Sequence, residues 1–161
     1  MCRIAGIISS ESNSAETYQQ VKAMCTALQH GGPDDEGIFL NHDGSVCLGH
    51  RRLSILDLSS AGHQPMSCGD ESIWIAFNGE IYNFRELRQE LQAKGYTFNT
   101  ATDTEVILKS YEAWGSDAFG KLKGMFAFTL FDQSASKVFL VRDASGIKPL
   151  YYSVSNNQLS F

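Results

Sequence analysis

No stretch of the 161-residue chain is long and apolar enough to cross a bilayer; the longest, such as 124–131, falls far short of the ~20 residues a spanning helix needs. The N-terminus has no basic segment leading into an apolar run, so a secretory signal is not expected. Excess positive charge is also missing. Thirteen Lys+Arg face eighteen Asp+Glu, a net charge of −5 with His neutral, and the basic residues are scattered. Broad nucleic-acid binding and docking on an anionic membrane are therefore not expected. Internal repeats and low-complexity tracts are absent. What remains is 43% hydrophobic and 19% charged residues, the composition of one globular domain able to bury its own core. A cytoplasmic domain is the expectation.

Cysteine is sparse: residues 2, 25, 47 and 68. Without an export signal these do not suggest a disulfide framework. Cys25 falls on the apolar stripe of an expected helix and Cys47 in a short strand, so both read as small buried hydrophobes. Cys68 sits in a polar loop. Cys2 differs, because loss of Met1 would leave a thiol and a free α-amine on one residue.

Along the chain, 2–8 reads as a strand entering the core. Residues 15–30 read as a helix capped by Ser14, with Tyr18, Val21, Cys25 and Leu28 at spacings of three and four. Asn41-His42-Asp43-Gly44 signals a hairpin between 37–40 and 45–49. An apolar run over 53–58 precedes a loop, and 73–77 reads as a strand ending at a turn, Asn78-Gly79. Helices are expected at 83–94 and 103–114, the second capped by Thr102 or Asp103, and a short one at 117–123. Strands are expected at 125–132, 138–142 and 150–154, with Asn156-Asn157 turning into 159–161. Residues 125–131 (MFAFTLF) are apolar on both faces, as in a strand covered on both sides. Strands near both ends with helices between them imply an α+β fold: a four-layer αββα sandwich of two stacked, mainly antiparallel sheets. The last strand pattern runs to the final residue, as in a domain that continues into a longer protein.

Two patterns have plainer explanations than function. Gly115 to Leu122 matches G-x-x-x-x-G-K but carries Leu where a Mg²⁺-binding hydroxyl belongs and follows a helix, so a helix stop explains its glycines. Cys47, His50, His63 and Cys68 have zinc-like spacing, yet the residues between them read as strand and core, not as a finger.

Cys2, Arg52, Asn78-Gly79-Glu80 and Asp103 are more pointed. The α-amine of an N-terminal Cys, with a pKa near ~7.7–8.0, can take the proton of its own thiol. Asn-Gly after a strand can offer a side-chain N–H and an open backbone N–H to an oxyanion. Arg52 can pair with a carboxylate, and Asp103 with an ammonium. Taken singly, each has a plainer role as turn, surface cation or helix cap.

Taken together, the motifs Met1-Cys2-x-Ile4-Ala5-Gly6, His30-Gly31-Gly32-Pro33-Asp34, Gly49-His50-Arg51-Arg52-Leu53-Ser54-Ile55, Gly62-His63-Gln64-Pro65-Met66, Phe77-Asn78-Gly79-Glu80-Ile81-Tyr82-Asn83, Thr102-Asp103-Thr104-Glu105 and Gly146-Ile147-Lys148-Pro149-Leu150-Tyr151 resemble class II glutamine amidotransferases. These are N-terminal-nucleophile glutaminase domains, and the likeness is greatest to the glutaminase half of glutamine-hydrolysing asparagine synthetases. The resemblance covers 1–161 as one glutamine amidotransferase domain of a longer protein. It implies hydrolysis of L-glutamine to glutamate and ammonia through a thioester on Cys2. Asn78 and Gly79 would form the oxyanion hole. Arg52 would hold the glutamine carboxylate, with Leu53, Ser54, Ile55 and Leu56 lining the site by their backbone. Glu80 and Asp103 would face the α-amine. No metal or cofactor is implied for this step. ATP and Mg²⁺ would belong to a C-terminal synthetase domain, whose pyrophosphatase loop the sequence lacks. A homodimer is left open.

Three departures stand out: Arg3 where a small residue is usual, Gly31 in place of Arg, and Ala144 in place of Arg. They motivate the alternative, a catalytically impaired module kept for packing or regulation. The sequence does not decide whether Arg3 points at the site or away from it.

Overall fold

Two antiparallel sheets stack face to face in the structure, a computed structural model that describes residues 2–10, 13–55 and 59–161. The first sheet contains β1 (Arg3–Ser9), β2 (Asp35–Leu40), β3 (Val46–Arg52), β8 (Ser153–Ser155) and β9 (Gln158–Ser160) in the order β2-β3-β1-β9-β8. The second contains β4 (Met66–Ser67), β5 (Ile73–Ile81), β6 (Gly124–Asp132) and β7 (Lys137–Arg142) in chain order. Helix α1 (Ser14–Ala27) covers the first sheet, with Val21 and Cys25 packed on Ile7 and Cys47. Helices α2 (Phe84–Ala93) and α3 (Asp103–Trp114) cover the second, with Leu87, Leu91, Val106 and Ile107 against Ile75, Phe77, Phe128 and Leu130. Between the sheets lie Leu48 and Phe131, with Phe39 stacked on Trp74 at 4.0 Å between ring centroids. The result is the four-layer αββα sandwich. β6 is buried on both faces because it lies between α3 and the first sheet, as its two-sided apolar pattern requires.

The structure differs from the sequence expectations at several places. Asn13, not Ser14, caps α1: its Oδ1 accepts from the Glu16 N–H at 3.3 Å, and its amide bonds the Glu16 carboxylate. α1 ends at Ala27, and a 3₁₀ turn, Gln29–Gly31, replaces its expected last turn; Tyr18 is exposed. Thr102 caps α3 by accepting from the Glu105 N–H, which leaves Asp103 as the first helical residue. The segment after α3 is a 3₁₀ helix, Gly115–Lys121. The apolar run after β3 is irregular at 53–55, with Ile55 70% exposed, and its remainder, 56–58, lies outside the described residues. The strand expected at 150–154 begins at Ser153, because Tyr151 and Tyr152 stand in solvent.

The largest correction concerns Asn78-Gly79, which is not a turn. β5 continues through it to Ile81, pairing Asn78 with Ala127 and Gly79 with Phe126. The paired strand β6 approaches so closely that a Cβ on residue 79 would lie 2.6 Å from the Phe126 Cα and closer still to the Met125 carbonyl oxygen. Glycine here serves a close backbone approach within a strand, one of its usual roles there. Among the described residues, no helix is long and apolar enough to cross a membrane.

Candidate active site

β1 is the middle strand of its sheet, and its antiparallel register with β3 (Arg3 opposite Arg51) carries Cys2 to the point where β3 gives way to irregular chain. There the Cys2 Sγ lies between the two backbone groups of Leu53. It accepts from the Leu53 N–H at 3.4 Å and donates to the Leu53 carbonyl at 3.6 Å. The loop that presents Leu53 is fixed from below: the Asp34 N–H donates to the Arg52 carbonyl at 3.0 Å, and the Ser54 N–H donates to Asp34 Oδ2 at 2.8 Å.

A cleft opens from this sulfur between the ends of the two sheets. Its cavity volume is about 100 Å³. Cys2, Arg52, Leu53, Ile55, Asn78, Gly79, Glu80 and Asp103 all line it. Ser54 does not; its backbone N–H is committed to Asp34. Leu56 and Met1 lie outside the described residues.

Arg52 is buried, and its guanidinium is aimed by the turn after the irregular segment. Nη1 donates to the Ser59 carbonyl at 2.9 Å, and the planar group lies against Gly62, where a Cβ would stand 2.7 Å from Cζ. Asp103 occupies the opposite wall at the start of α3, where its Oδ2 accepts from the Ile81 N–H at 3.0 Å. Burial pushes its carboxyl above the ordinary carboxylate value and the charge of Glu80 adds to this, while backbone N–H bonds from Ile81, Asp103 and Thr104 pull the other way.

The edge of β5 leaves a backbone donor facing the cleft. β4 covers that edge only at Trp74 and Ile75. Beyond it, side chains take over: the Phe77 N–H donates to Gln64 Oε1 at 2.7 Å and the Ile81 N–H donates to Asp103 Oδ2 at 3.0 Å. N–H groups two residues apart in a strand face the same edge, so the Gly79 N–H lies between those two, facing the cleft. Its partner Phe126 is turned the other way: its N–H donates to Asp143 Oδ2 at 3.1 Å and its carbonyl accepts from the Asp143 N–H at 2.8 Å.

Gln64, Thr104, Met125 and Lys148 are among the cleft residues that were given no site role from sequence. Gln64 Nε2 donates to Thr104 Oγ1 at 3.2 Å, linking the β5 edge to α3. His50 adds a cross-sheet tie, its Nε2 bonding the Phe77 carbonyl at 3.0 Å. Burial pulls its pKa down to about 4, so the ring is neutral at pH 7. Lys148 is carried into the cleft wall by Asp143, whose carboxylate accepts from the Ile147 and Lys148 N–H groups at 2.9 Å each. Their motifs were visible, but a lone polar residue in a loop has no spacing that announces its direction. Arg52 and Lys148 on one side of the charge balance, and Glu80 and Asp103 on the other, suit a zwitterion with an apolar stem lying along Leu53, Phe77 and Met125.

The zinc-like set is dispersed. Cys47 packs with Val21 and Cys25 under α1, whereas His50, three residues along the same strand, turns to the other sheet. His63 pairs with Asp35 at 2.7 Å and the Cys68 thiol donates to Asp70 at 2.9 Å. Among the described residues, no group of three His, Cys, Asp or Glu side chains is placed to hold a metal ion. Lys121 of the phosphate-loop look-alike lies over the Trp114 ring, 4.6 Å from its centroid. The three departures, Arg3, Gly31 and Ala144, all lie outside the cleft lining.

Comparison with known proteins agrees with this geometry. Asparagine synthetase [glutamine-hydrolyzing] 1 of Bacillus subtilis (strain 168) is 47% identical over 163 residues, which takes in 100% of this chain and 25% of that protein. The putative asparagine synthetase [glutamine-hydrolyzing] 2 of Methanocaldococcus jannaschii is 41% identical over 177 residues, covering 100% of this chain and 33% of its own length. The chain thus spans a quarter to a third of these relatives. Among solved structures, glutamine phosphoribosylpyrophosphate amidotransferase from B. subtilis, complexed with ADP and GMP, superposes with a TM-score of 0.81 at 21% identity, over 99% of this chain and 41% of that one. A structure described as the allosteric regulatory enzyme of purine biosynthesis gives 0.83 at 22% identity, with the same coverage. These two likenesses show the fold. The family profile described as "Glutamine amidotransferase domain" matches residues 1–161, and the chain belongs to that family, in its class II, N-terminal-nucleophile form.

Proposed function

We propose that this domain hydrolyses the side-chain amide of L-glutamine with Cys2 as nucleophile. The observation that carries the reading is the meeting, in one cleft, of the Cys2 sulfur and the uncovered stretch of the β5 edge at Gly79. Arg52 receives the α-carboxylate, and Asp103 with Glu80 receives the α-ammonium. This directs the amide end of the substrate toward Cys2. Met1 must be removed first. The neutral amine of Cys2 then takes the thiol proton and sulfur attacks the δ-carbonyl carbon. The Gly79 N–H and the Asn78 side-chain amide stabilise the oxyanion, and loss of one such donor costs on the order of 10²–10³ in rate. The C–N bond breaks as the protonated amine returns its proton to the leaving nitrogen, so ammonia departs and a γ-glutamyl thioester remains. Water, deprotonated by the same amine, attacks the thioester. Glutamate leaves and the thiol is restored.

The relatives named as glutamine-hydrolysing asparagine synthetases support a further step. The ammonia passes to a C-terminal synthetase domain that uses ATP and Mg²⁺ to amidate aspartate, within one longer protein. An impaired module draws no support from the cleft, because the departures that suggested it do not reach the lining. Intact-mass analysis with a glutaminase assay tests the proposal. Material lacking Met1 should release glutamate and ammonia, and Cys2→Ala should not. Wild type no faster than Cys2→Ala, with Met1 gone, would favour the impaired module. The longer protein should form asparagine from aspartate with glutamine or with ammonia, and its Cys2→Ala variant with ammonia alone.

A further inference from the structure

Two of the three sequence departures meet at one point. The Arg3 side chain turns back along the chain, and its Nη1 donates to the Cys2 carbonyl at 3.0 Å. Its stem and guanidinium lie flat on Gly31, where a Cβ would stand 2.6 Å from both Cζ and Nε. Gly31 is buried. A side chain at 31 and the present course of Arg3 therefore exclude each other. Strand alternation places Arg3 on the face of Ala5 and Ile7, the face that α1 covers. The cation thus lies across β1 from the thiol.

We infer that Arg3 is a positioning residue for the nucleophile and that the missing side chain of Gly31 is the space it requires. The inference rests on the reading of Cys2 as nucleophile. Once Met1 is removed, Cys2 is a terminal residue joined to the chain by one peptide bond, and terminal residues fray unless tied down. It precedes the first ladder pair, Arg3 with Arg51. Leu53 holds its sulfur and Arg3 holds its carbonyl. A charge-assisted hydrogen bond on that carbonyl holds the Cys2–Arg3 peptide plane against rotation about the N–Cα bond of Arg3. It thereby fixes where the Cys2 Cα stands, and the Leu53 bonds to Sγ then set the remaining rotation about the Cα–C bond, and with it the direction of the α-amine.

The test is a double-mutant cycle of Arg3→Ala and Gly31→Ala, with Arg3→Lys and Arg3→Gln as a conservative pair. It reads kcat and KM for glutamine and, without glutamine, the rate of Cys2 alkylation by iodoacetamide located by peptide mass. Each protein is first checked for loss of Met1. Arg3→Ala should lower kcat about ten- to a hundredfold with KM within about twofold, and should slow alkylation of Cys2. Gly31→Ala should reproduce this, because its methyl displaces the guanidinium. The double variant should be no worse than either single one, and Arg3→Lys should recover part of the loss that Arg3→Gln does not. Wild-type kcat and alkylation rate in Arg3→Ala, or losses that multiply in the double variant, would overturn the inference. Should Arg3→Ala fail to fold, equal rates for Arg3→Lys and Arg3→Gln would do the same. Failure of the nucleophile reading itself would look different: wild type would turn over glutamine no faster than Cys2→Ala, whatever residue 3 is.

Discussion

Replacing Gly79 with Ala tests fold and site in one step. The new methyl would lie 2.6 Å from the Phe126 Cα and closer still to the Met125 carbonyl oxygen, both main-chain atoms of β6. Non-bonded carbon atoms rest at about 3.5–4.0 Å, so β5 and β6 must part by roughly 1 Å at this pair. β6 is packed on both faces and cannot withdraw freely. Overpacking of this kind costs about 1–3 kcal/mol. For a chain of this length each kcal/mol moves Tm by about 2–4 °C, so Tm should fall by roughly 2–12 °C. The same displacement moves the Gly79 N–H away from the oxyanion, and kcat should fall by about 10²–10³. Gly120→Ala is the matched control, because a Cβ there meets nothing within 4 Å; its Tm and kcat should stay at wild type. Scanning calorimetry and a coupled glutamate assay read both quantities. A Gly79→Ala protein that keeps wild-type Tm would refute the packing argument. One that loses Tm but keeps kcat would remove Gly79 from the oxyanion site.

Arg52→Ala should raise KM for glutamine by one to two orders of magnitude (~10–100-fold) with a much smaller change in kcat, since a carboxylate clamp serves ground and transition states alike; the reverse split would mean that Arg52 is misassigned. Gly62→Ala should show a weaker form of the same defect in steady-state kinetics, because its Cβ would stand 2.7 Å from Arg52 Cζ. Asp103 has a raised folded pKa, so the stability it contributes is full below its unfolded pKa of about 3.9 and is lost as pH rises through the folded value. Asp103→Asn should therefore match or exceed wild-type Tm at pH 7 while glutamine binding, read by calorimetric titration, collapses; a lower Tm with intact binding would contradict this. His50 shifts the other way: its neutral form contributes stability in full above pH ~6.5, and the contribution is lost as pH falls through about 4. That loss amounts to roughly 3 kcal/mol, so denaturant titrations should show His50→Gln losing less stability than wild type between those pH values.

The layers of the fold were legible because they rest on repeating patterns. Val21 and Cys25 in α1, Leu87 and Leu91 in α2 and the two-sided apolar run of β6 each mark a buried face. Asn78-Gly79 was misread because the same dipeptide serves a tight turn or a close strand approach, and only the position of β6 selects between them. Asn13 and Ser14 are both good caps in sequence, and the choice between them follows from where the Glu16 N–H falls. Arg3 was undecided because alternation gives the face of a strand residue but not the course of a long side chain. Its course to the Cys2 carbonyl passes against Gly31, which is distant in sequence. Gln64 and Lys148 went unassigned for the same reason: Asp143 and the β5 edge, not local spacing, bring them to the cleft.

The most direct measurement is an acid quench of the enzyme during steady turnover of glutamine, followed by peptide mass analysis of the N-terminus. The account predicts a γ-glutamyl thioester on the sulfur of a Cys2 that is itself the first residue. Steady turnover with that peptide unmodified, or with Met1 still attached, would contradict it.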